Sequence, residues 1–267
     1  MRIGLFQFAP IFGDKSANLD RVEQAMSKIE CDIVVLPELF STGYCFGSRD
    51  EVARLAENAL EGPTVARLHR LARSGGATIV AGVAEASGSA LYNSCLMVRP
   101  DGNTFVYRKI HLFNREKELF ERGSAASPVV AVGSARVAVE VCFDYFFPEL
   151  ARTVALAGAQ VICHPANLVL QYAQAMTVTR AQENRVFWVL CNRVGTEEAN
   201  GRRLTFTGQS QIVSPDGEVI FRAGVDEEIL RIVEIDPSQA DNKVVAGNDL
   251  FRDRRPEAYK EVMNAER

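Results

Sequence analysis

The sequence predicts an α/β protein built as a four-layer α-β-β-α sandwich of two mixed sheets, with helices outside and an internal pseudo-symmetry. Three observations carry this reading. Strand-like and helix-like periodicities alternate along most of the 267 residues. Each half runs roughly β-α-β-α-β and ends in a hairpin. The turn Pro100-Asp101-Gly102 of the first half recurs as Pro215-Asp216-Gly217 in the second. No linker composition separates the halves, so residues 1–267 are read as one domain.

In chain order, Arg2 to Ala9 reads as a strand, too short and too interrupted by Gln7 and Pro10 to be a signal peptide. Asp14 to Ile29 places Leu19, Val22, Met26 and Ile29 on one helical face. Asp32 to Leu36 is a continuous β-branched run, as a strand covered on both faces requires, and Pro37 stops it. Gly62-Pro63-Thr64 starts a helix with proline in its first turn, and Val65, Leu68, His69, Leu71 and Ala72 form its inner stripe. Ala77 to Ala84 is a buried strand, and Leu91 to Arg99 pairs with Thr104 to Arg108 across a turn. The second cycle has strands at Arg136 to Val141, Val161 to His164 and Val186 to Asn192. Its helices span Phe147 to Ala157 and Gln171 to Asn184, and its closing hairpin pairs Gln209 to Val213 with Glu218 to Phe221. From Pro237 onward the chain is rich in charge and asparagine, an extended tail (237–267) that needs a surface to lie on. A second subunit of a homodimer or higher homo-oligomer is the expected surface.

An apolar fraction of 47%, a charged fraction of 24% and a net charge of −4 are those of an ordinary globular protein. The positive stripe that a nucleic-acid groove needs is missing, and no apolar run approaches membrane-spanning length. Six cysteines are scattered without a C-x-x-C pair, which suits a reducing cytoplasm better than a disulfide framework. Three histidines without i, i+4 pairing argue against a zinc site, so neither metal nor cofactor is expected.

Three charged or nucleophilic residues follow strand-like runs: Glu38 after Leu36-Pro37, Lys109 after Tyr107-Arg108, and Cys142 after Val139-Glu140-Val141. Ligand sites of α/β sheets gather at the carboxyl ends of strands. A cysteine thiol has an ordinary pKa near ~8.5, so it needs a base, a cation or a helix N-terminus to attack carbon at neutral pH. Glu38 is placed to take the thiol proton, Lys109 to steady an oxyanion, and the helix after Cys142 to favour the thiolate. Each residue alone has a plainer reading: a core cysteine, a loop start, an edge-strand lysine. Their joint placement points to hydrolysis.

These segments resemble the nitrilase superfamily of carbon–nitrogen hydrolases. The likeness rests on Leu36-Pro37-Glu38, on Tyr107-Arg108-Lys109-Ile110-His111-Leu112 and on Cys142-Phe143-Asp144-Tyr145-Phe146-Phe147-Pro148-Glu149. It continues in order through His164-Pro165-Ala166-Asn167, Arg180-Ala181-Gln182-Glu183-Asn184, Gly208-Gln209-Ser210 and Asn248-Asp249-Leu250-Phe251. Within that family the chain is most like small nitrilases of hyperthermophilic archaea. The resemblance implies Glu38 as general base and acid, Lys109 as oxyanion stabiliser, Cys142 as nucleophile, the Phe143 main-chain N–H as second oxyanion donor, and Glu116 as a further active-site carboxylate. It also implies an amidase that acylates Cys142 and releases ammonia from a small amide with the help of water. An aliphatic nitrilase and an N-carbamoyl hydrolase are the rival reactions, and a non-catalytic binding protein is the rival class. Tyr44, Tyr145, Phe146 and Asn167 are expected to line the substrate pocket together with Phe143. Some ω-amidase relatives carry arginine where this chain has Phe146, which argues against a dicarboxylic monoamide. Glu140 shares strand parity with Cys142 and is expected to be hydrogen-bonded beneath the site.

Overall fold

A computed structural model describes residues 1–27 and 30–263. Ile29, expected to close the apolar face of the first helix, and residues 264–267 of the tail lie outside the described residues. The first half contains β1 (Arg2–Gln7), α1 (Lys15–Met26), β2 (Ile33–Val35), α2 (Arg49–Leu55), α3 (Pro63–Gly75), β3 (Thr78–Ser87), β4 (Ala90–Val98) and β5 (Thr104–Arg108). The one-turn helix α4 (Glu116–Leu119) leads to β6 (Val130–Val132), β7 (Ala135–Val139), a 3-10 turn at Cys142–Phe146, α5 (Pro148–Leu156), β8 (Val161–Pro165), α6 (Ala173–Asn184) and β9 (Phe187–Cys191). Then come β10 (Thr196–Ala199), β11 (Arg202–Thr205), β12 (Gln211–Val213), β13 (Val219–Arg222) and β14 (Ile229–Glu234). The tail carries short 3-10 turns and the small pair β15 (Val244–Val245) and β16 (Asn248–Asp249).

Two six-stranded sheets result, ordered β14-β1-β2-β3-β4-β5 and β13-β12-β9-β8-β7-β6. In the first, β1, β2 and β3 are parallel, β4 and β5 continue antiparallel, and β14 lies antiparallel on the other edge. In the second, β7, β8 and β9 are parallel, β12 and β13 continue antiparallel, and β6 is the antiparallel edge. The halves therefore repeat one topology, which is the expected pseudo-symmetry.

Side-chain alternation explains the layering. Ile3, Leu5, Ile33, Val35 and Val80 of the first sheet join one core with Val137, Val139, Val161 and Val189 of the second. Their neighbours Phe6, Val34, Ile79 and Ala81 point the other way, into a core with Leu19 and Val22 of α1 and Val65 and Leu68 of α3. A central strand covered on both faces must be apolar on both, hence the unbroken runs. Asp14 caps α1 by accepting from the Ala17 N–H at 3.0 Å, and Pro63 stands in the first turn of α3, whose left-handed stop is Gly76.

The structure departs from expectation in several places. The strand expected to run to Val141 stops at Val139, and Cys142 opens a 3-10 turn with φ 44° instead of ending a strand. Helix α2 was not expected; it is capped by Ser48, whose hydroxyl accepts from the Glu51 N–H at 3.2 Å. The hairpin β10–β11 is an addition to the second half. Strand β14 returns from the second half to pair with β1, so the two halves share a sheet. Among the described residues no helix is long and apolar enough to cross a membrane.

Candidate active site

Each candidate side chain is set by a backbone crossing. Pro37 ends the β2 extension, and Glu38 passes so close over Gly82 of β3 that a Cβ there would overlap the Glu38 Cα. The Gly82 N–H donates to the Pro37 carbonyl at 3.2 Å, and the Phe40 N–H to the Gly82 carbonyl at 3.0 Å. Lys109 follows β5; its N–H donates to the Asn93 carbonyl and its carbonyl accepts from the Gly123 N–H, both at 2.9 Å. At Gly123 a Cβ would overlap the Arg108 carbonyl, so that approach also demands glycine.

These crossings bring Glu38, Lys109 and Glu116 together. Lys109 Nζ lies 2.7 Å from Glu38 Oε1 and 2.8 Å from Glu116 Oε2, and the Lys109 and Glu38 side chains are wholly buried. Asn93 donates to Glu38 Oε1 at 2.7 Å, the Tyr44 hydroxyl to Glu116 Oε1 at 2.7 Å and the Phe113 N–H to Glu116 Oε2 at 3.1 Å. Among the described residues Glu38 Oε2 has no hydrogen-bond partner. Burial pushes the Glu38 carboxyl above its ordinary range; Lys109 opposes this and Glu116 adds to it. Burial works against the charge of Lys109, yet Glu116 and Glu38 hold the ammonium well above its ordinary value.

Cys142 is held from below. Its carbonyl accepts from His164 Nε2 at 2.8 Å, and His164 Nδ1 accepts from Trp188 Nε1 at 3.1 Å. Burial lowers the imidazole to about 4, so His164 is neutral and fixed in one tautomer. Asp144 fastens the turn: it accepts from the Val141 N–H at 3.0 Å, the Tyr107 hydroxyl at 2.8 Å and the His111 N–H at 3.1 Å. Sequence reasoning gave His164, Asp144 and Tyr107 no task, although all three stand in stretches that carried the resemblance. Burial, then the charges of Glu38 and Glu116, push the Cys142 thiol well above its ordinary value; Lys109 and the Asn167 N–H pull the other way without prevailing. The expected thiolate-favouring field is thus not the resting state. Five residues of turn also separate Cys142 from α5, and a helix dipole fades within its first turn.

Above Cys142 the wall is made by Phe143, Tyr145, Asn167 and Leu168, with Phe113, Val169 and Leu170 shared with an adjoining cavity of about 260 Å³. Tyr44 and Glu116 stand in the wall of that cavity. Asn167 is 3% exposed, and both polar atoms of its amide lack partners among the described residues, as expected of a group kept for a ligand. Phe146 is a correction. It lines neither cavity, is 39% exposed and packs on Phe143 and Tyr145, so the argument from its identity against a dicarboxylic substrate has no geometric basis. Missed by sequence reasoning were Phe113, Val169 and Leu170, whose signal was only adjacency to the motifs, and Arg202 and Leu204 on the unforeseen hairpin.

Glu140 differs from expectation as well. It is fully buried, and neither carboxyl oxygen has a hydrogen-bond partner among the described residues. Burial, with Asp144 adding and Arg180 opposing, pushes it well above its ordinary value of 4.5. A neutral acid avoids the cost of an unpaired buried charge.

The family model described as carbon-nitrogen hydrolase matches residues 2–242. The chain is 45% identical to a nitrilase of Pyrococcus abyssi, over 97% of this chain and 99% of that protein. It is 35% identical to an (R)-stereoselective amidase of a Pseudomonas species, over 96% and 92%. Among solved structures, a cysteine-to-alanine mutant of the Nesterenkonia AN1 amidase, from the nitrilase superfamily, superposes with a TM-score of 0.84 at 27% identity, covering 98% of this chain and 97% of the other. A further structure of that amidase (TM-score 0.81, 26% identity, coverage 98% and 99%) shows acrylamide added to the active-site cysteine.

Two predictions follow from this packing. Gly82→Ala displaces Glu38 and lowers kcat by about 100-fold, whereas Gly75→Ala, with nothing within 4 Å of its Cβ, leaves kcat unchanged; equal effects would remove the crossing from the account. For Glu140, the folded state keeps a proton that the unfolded chain releases above 4.5. Wild-type stability therefore falls as pH rises from there towards the raised folded value. Glu140→Gln lacks this loss, so its advantage over wild type in urea unfolding grows from pH 5 to pH 8. A difference independent of pH contradicts a neutral Glu140.

Proposed function

Because the chain belongs to the carbon–nitrogen hydrolase family, we propose that it is a cysteine-dependent amidase that converts a small primary amide and water to a carboxylic acid and ammonia. The observation that carries the reading is a carboxylate with one oxygen unpartnered among the described residues, ion-paired to a buried lysine, the charges of both acting on a buried cysteine. Since the resting thiol is protonated, attack and proton transfer must be coupled. As Cys142 Sγ bonds to the amide carbon, its proton passes to Glu38 and the carbonyl electrons move to oxygen. An N–H of Lys109 and the Phe143 main-chain N–H receive that oxyanion. Collapse breaks the C–N bond, Glu38 gives its proton to the departing nitrogen, and ammonia leaves a thioester. Water then attacks the thioester carbon, its proton going to Glu38, and the thiol departs with that proton.

Glu116 acts through Lys109. Its two oxygens, held by Tyr44 and the Phe113 N–H, keep the ammonium charged and aimed. Asn167 orients the amide. A nitrilase is the second reading, favoured by the 45% identity to a protein of that name. It uses the same residues, with a thioimidate that takes up water before the thioester.

The six cysteines are all free and buried, which supports a cytoplasmic setting. Residues 1–267 act as one domain, and the tail, with exposed Val244, Val245, Tyr259 and Val262, supports a homodimer contact. Sedimentation gives the dimer mass, and Tyr259→Asp with Val262→Asp shifts it to monomer; a wild-type monomer rejects the contact.

For the chemistry, Cys142→Ala abolishes ammonia release and the acyl adduct seen by mass spectrometry, and Glu38→Gln lowers kcat by about 10²–10⁴-fold. A matched amide and nitrile assayed together separate the two readings. Adduct on Cys45 or Cys163, or unchanged turnover in Cys142→Ala, overturns the assignment.

A further inference from the structure

The cavity that adjoins the Cys142 pocket has in its wall one cation whose charge is not met among the described residues. Three charged side chains stand in its wall. Glu116 is neutralised by Lys109 and hydrogen-bonded by Tyr44 and the Phe113 N–H. Arg115 donates to the Gly47 carbonyl at 3.3 Å and pairs with Glu118 at 3.3 Å. Arg202 is half-buried at the start of β11, opposite Ala199 in the hairpin, and among the described residues its guanidinium makes no ion pair or hydrogen bond. The same wall is largely apolar, with Phe113, Leu119, Phe120, Val169, Leu170 and Leu204 in it. The next residue gives the contrast: exposed Arg203 pairs with Glu198 across the hairpin.

An unpaired guanidinium in an apolar recess is matched by a carboxylate, which it can grip through two parallel N–H donors. We infer that Arg202 selects substrates bearing a carboxylate at the end remote from the scissile amide, so that the natural substrate class is a short monoamide of a dicarboxylic acid. This rests on the amidase reading and names its substrate. A cationic tail, such as a carbamoylated polyamine would present, meets repulsion at the same point. A cavity of about 260 Å³, below the ~300–1,000 Å³ of drug-sized sites, suits a small acyl group.

The test compares glutaramate with glutaramide, a neutral isostere of its carboxylate end. Wild-type protein is expected to turn over glutaramate with kcat/KM higher by roughly 10–100-fold, chiefly through KM. Arg202→Ala erases that ratio, Arg202→Lys restores part of it, and Arg203→Ala leaves it as in wild type. Calorimetry on Cys142→Ala protein reads the same preference without turnover. Turnover of both compounds at similar kcat/KM, or a preference that survives in Arg202→Ala, overturns the inference and leaves the amidase reading intact. Binding preference for glutaramate, lost in Cys142→Ala/Arg202→Ala, with no ammonia released by the wild type, upholds Arg202 and overturns the amidase.

Discussion

Lys109 sits dry between Glu38 and Glu116, and a charge withdrawn from water persists only where its partners are fixed around it. Much of the local structure follows from that requirement. Glu38 comes from the end of β2, Lys109 from the end of β5, and Glu116 from a one-turn helix that the chain makes immediately afterwards. Two glycines let main chains approach closer than any side chain permits, Gly82 beneath Glu38 and Gly123 beside Lys109. Removing one member of the trio would strand the others as uncompensated buried charges, so stability and reactivity are tied to the same three side chains.

The candidate nucleophile answers a second constraint. A non-glycine residue at φ 44° stores strain, and such strain persists only where its surroundings over-determine it. Here His164 grips the Cys142 carbonyl, Trp188 fixes the His164 tautomer, and Asp144 ties the turn to β5 through Tyr107. His164 is thus a scaffold residue. Its depressed basicity follows from burial and leaves it neutral.

How much of this was legible in the sequence depended on whether the signal was local. Continuous apolar runs such as Ile33–Val35 and Val161–Pro165 announced doubly covered strands, and the repeated Pro-Asp-Gly turn announced the repeat. Glu38, Lys109 and Cys142 were visible because each follows such a run, and Glu116 because the family resemblance marked it. The rest depended on long-range facts. Nothing in Val139-Glu140-Val141-Cys142 says that the strand stops before the cysteine, because the turn is imposed by Asp144 and its distant partners. The exposure of Phe146 and the solitude of Glu140 likewise depend on neighbours remote in sequence. Hairpin β10–β11 is polar and short, with no apolar periodicity to reveal it, and its contribution to the cavity went unseen with it.

That omission has a physical meaning. In the first half β3 runs into β4 through a tight turn, whereas in the second half β10 and β11 are inserted between the equivalent strands β9 and β12. The repeated framework supplies the strand ends that Glu38 and Lys109 follow and the turn after β7 that Cys142 opens. The inserted hairpin, which the repeat does not require, supplies Arg202 and Leu204 to the adjoining wall. Groups fixed by the sheet framework and its buried hydrogen bonds keep their geometry whatever the hairpin carries, and a recognition group on a hairpin can change without disturbing a buried ion pair. Chemistry and selectivity are therefore borne by different parts of the chain, and only the first part needed to be written in the pattern of the strands.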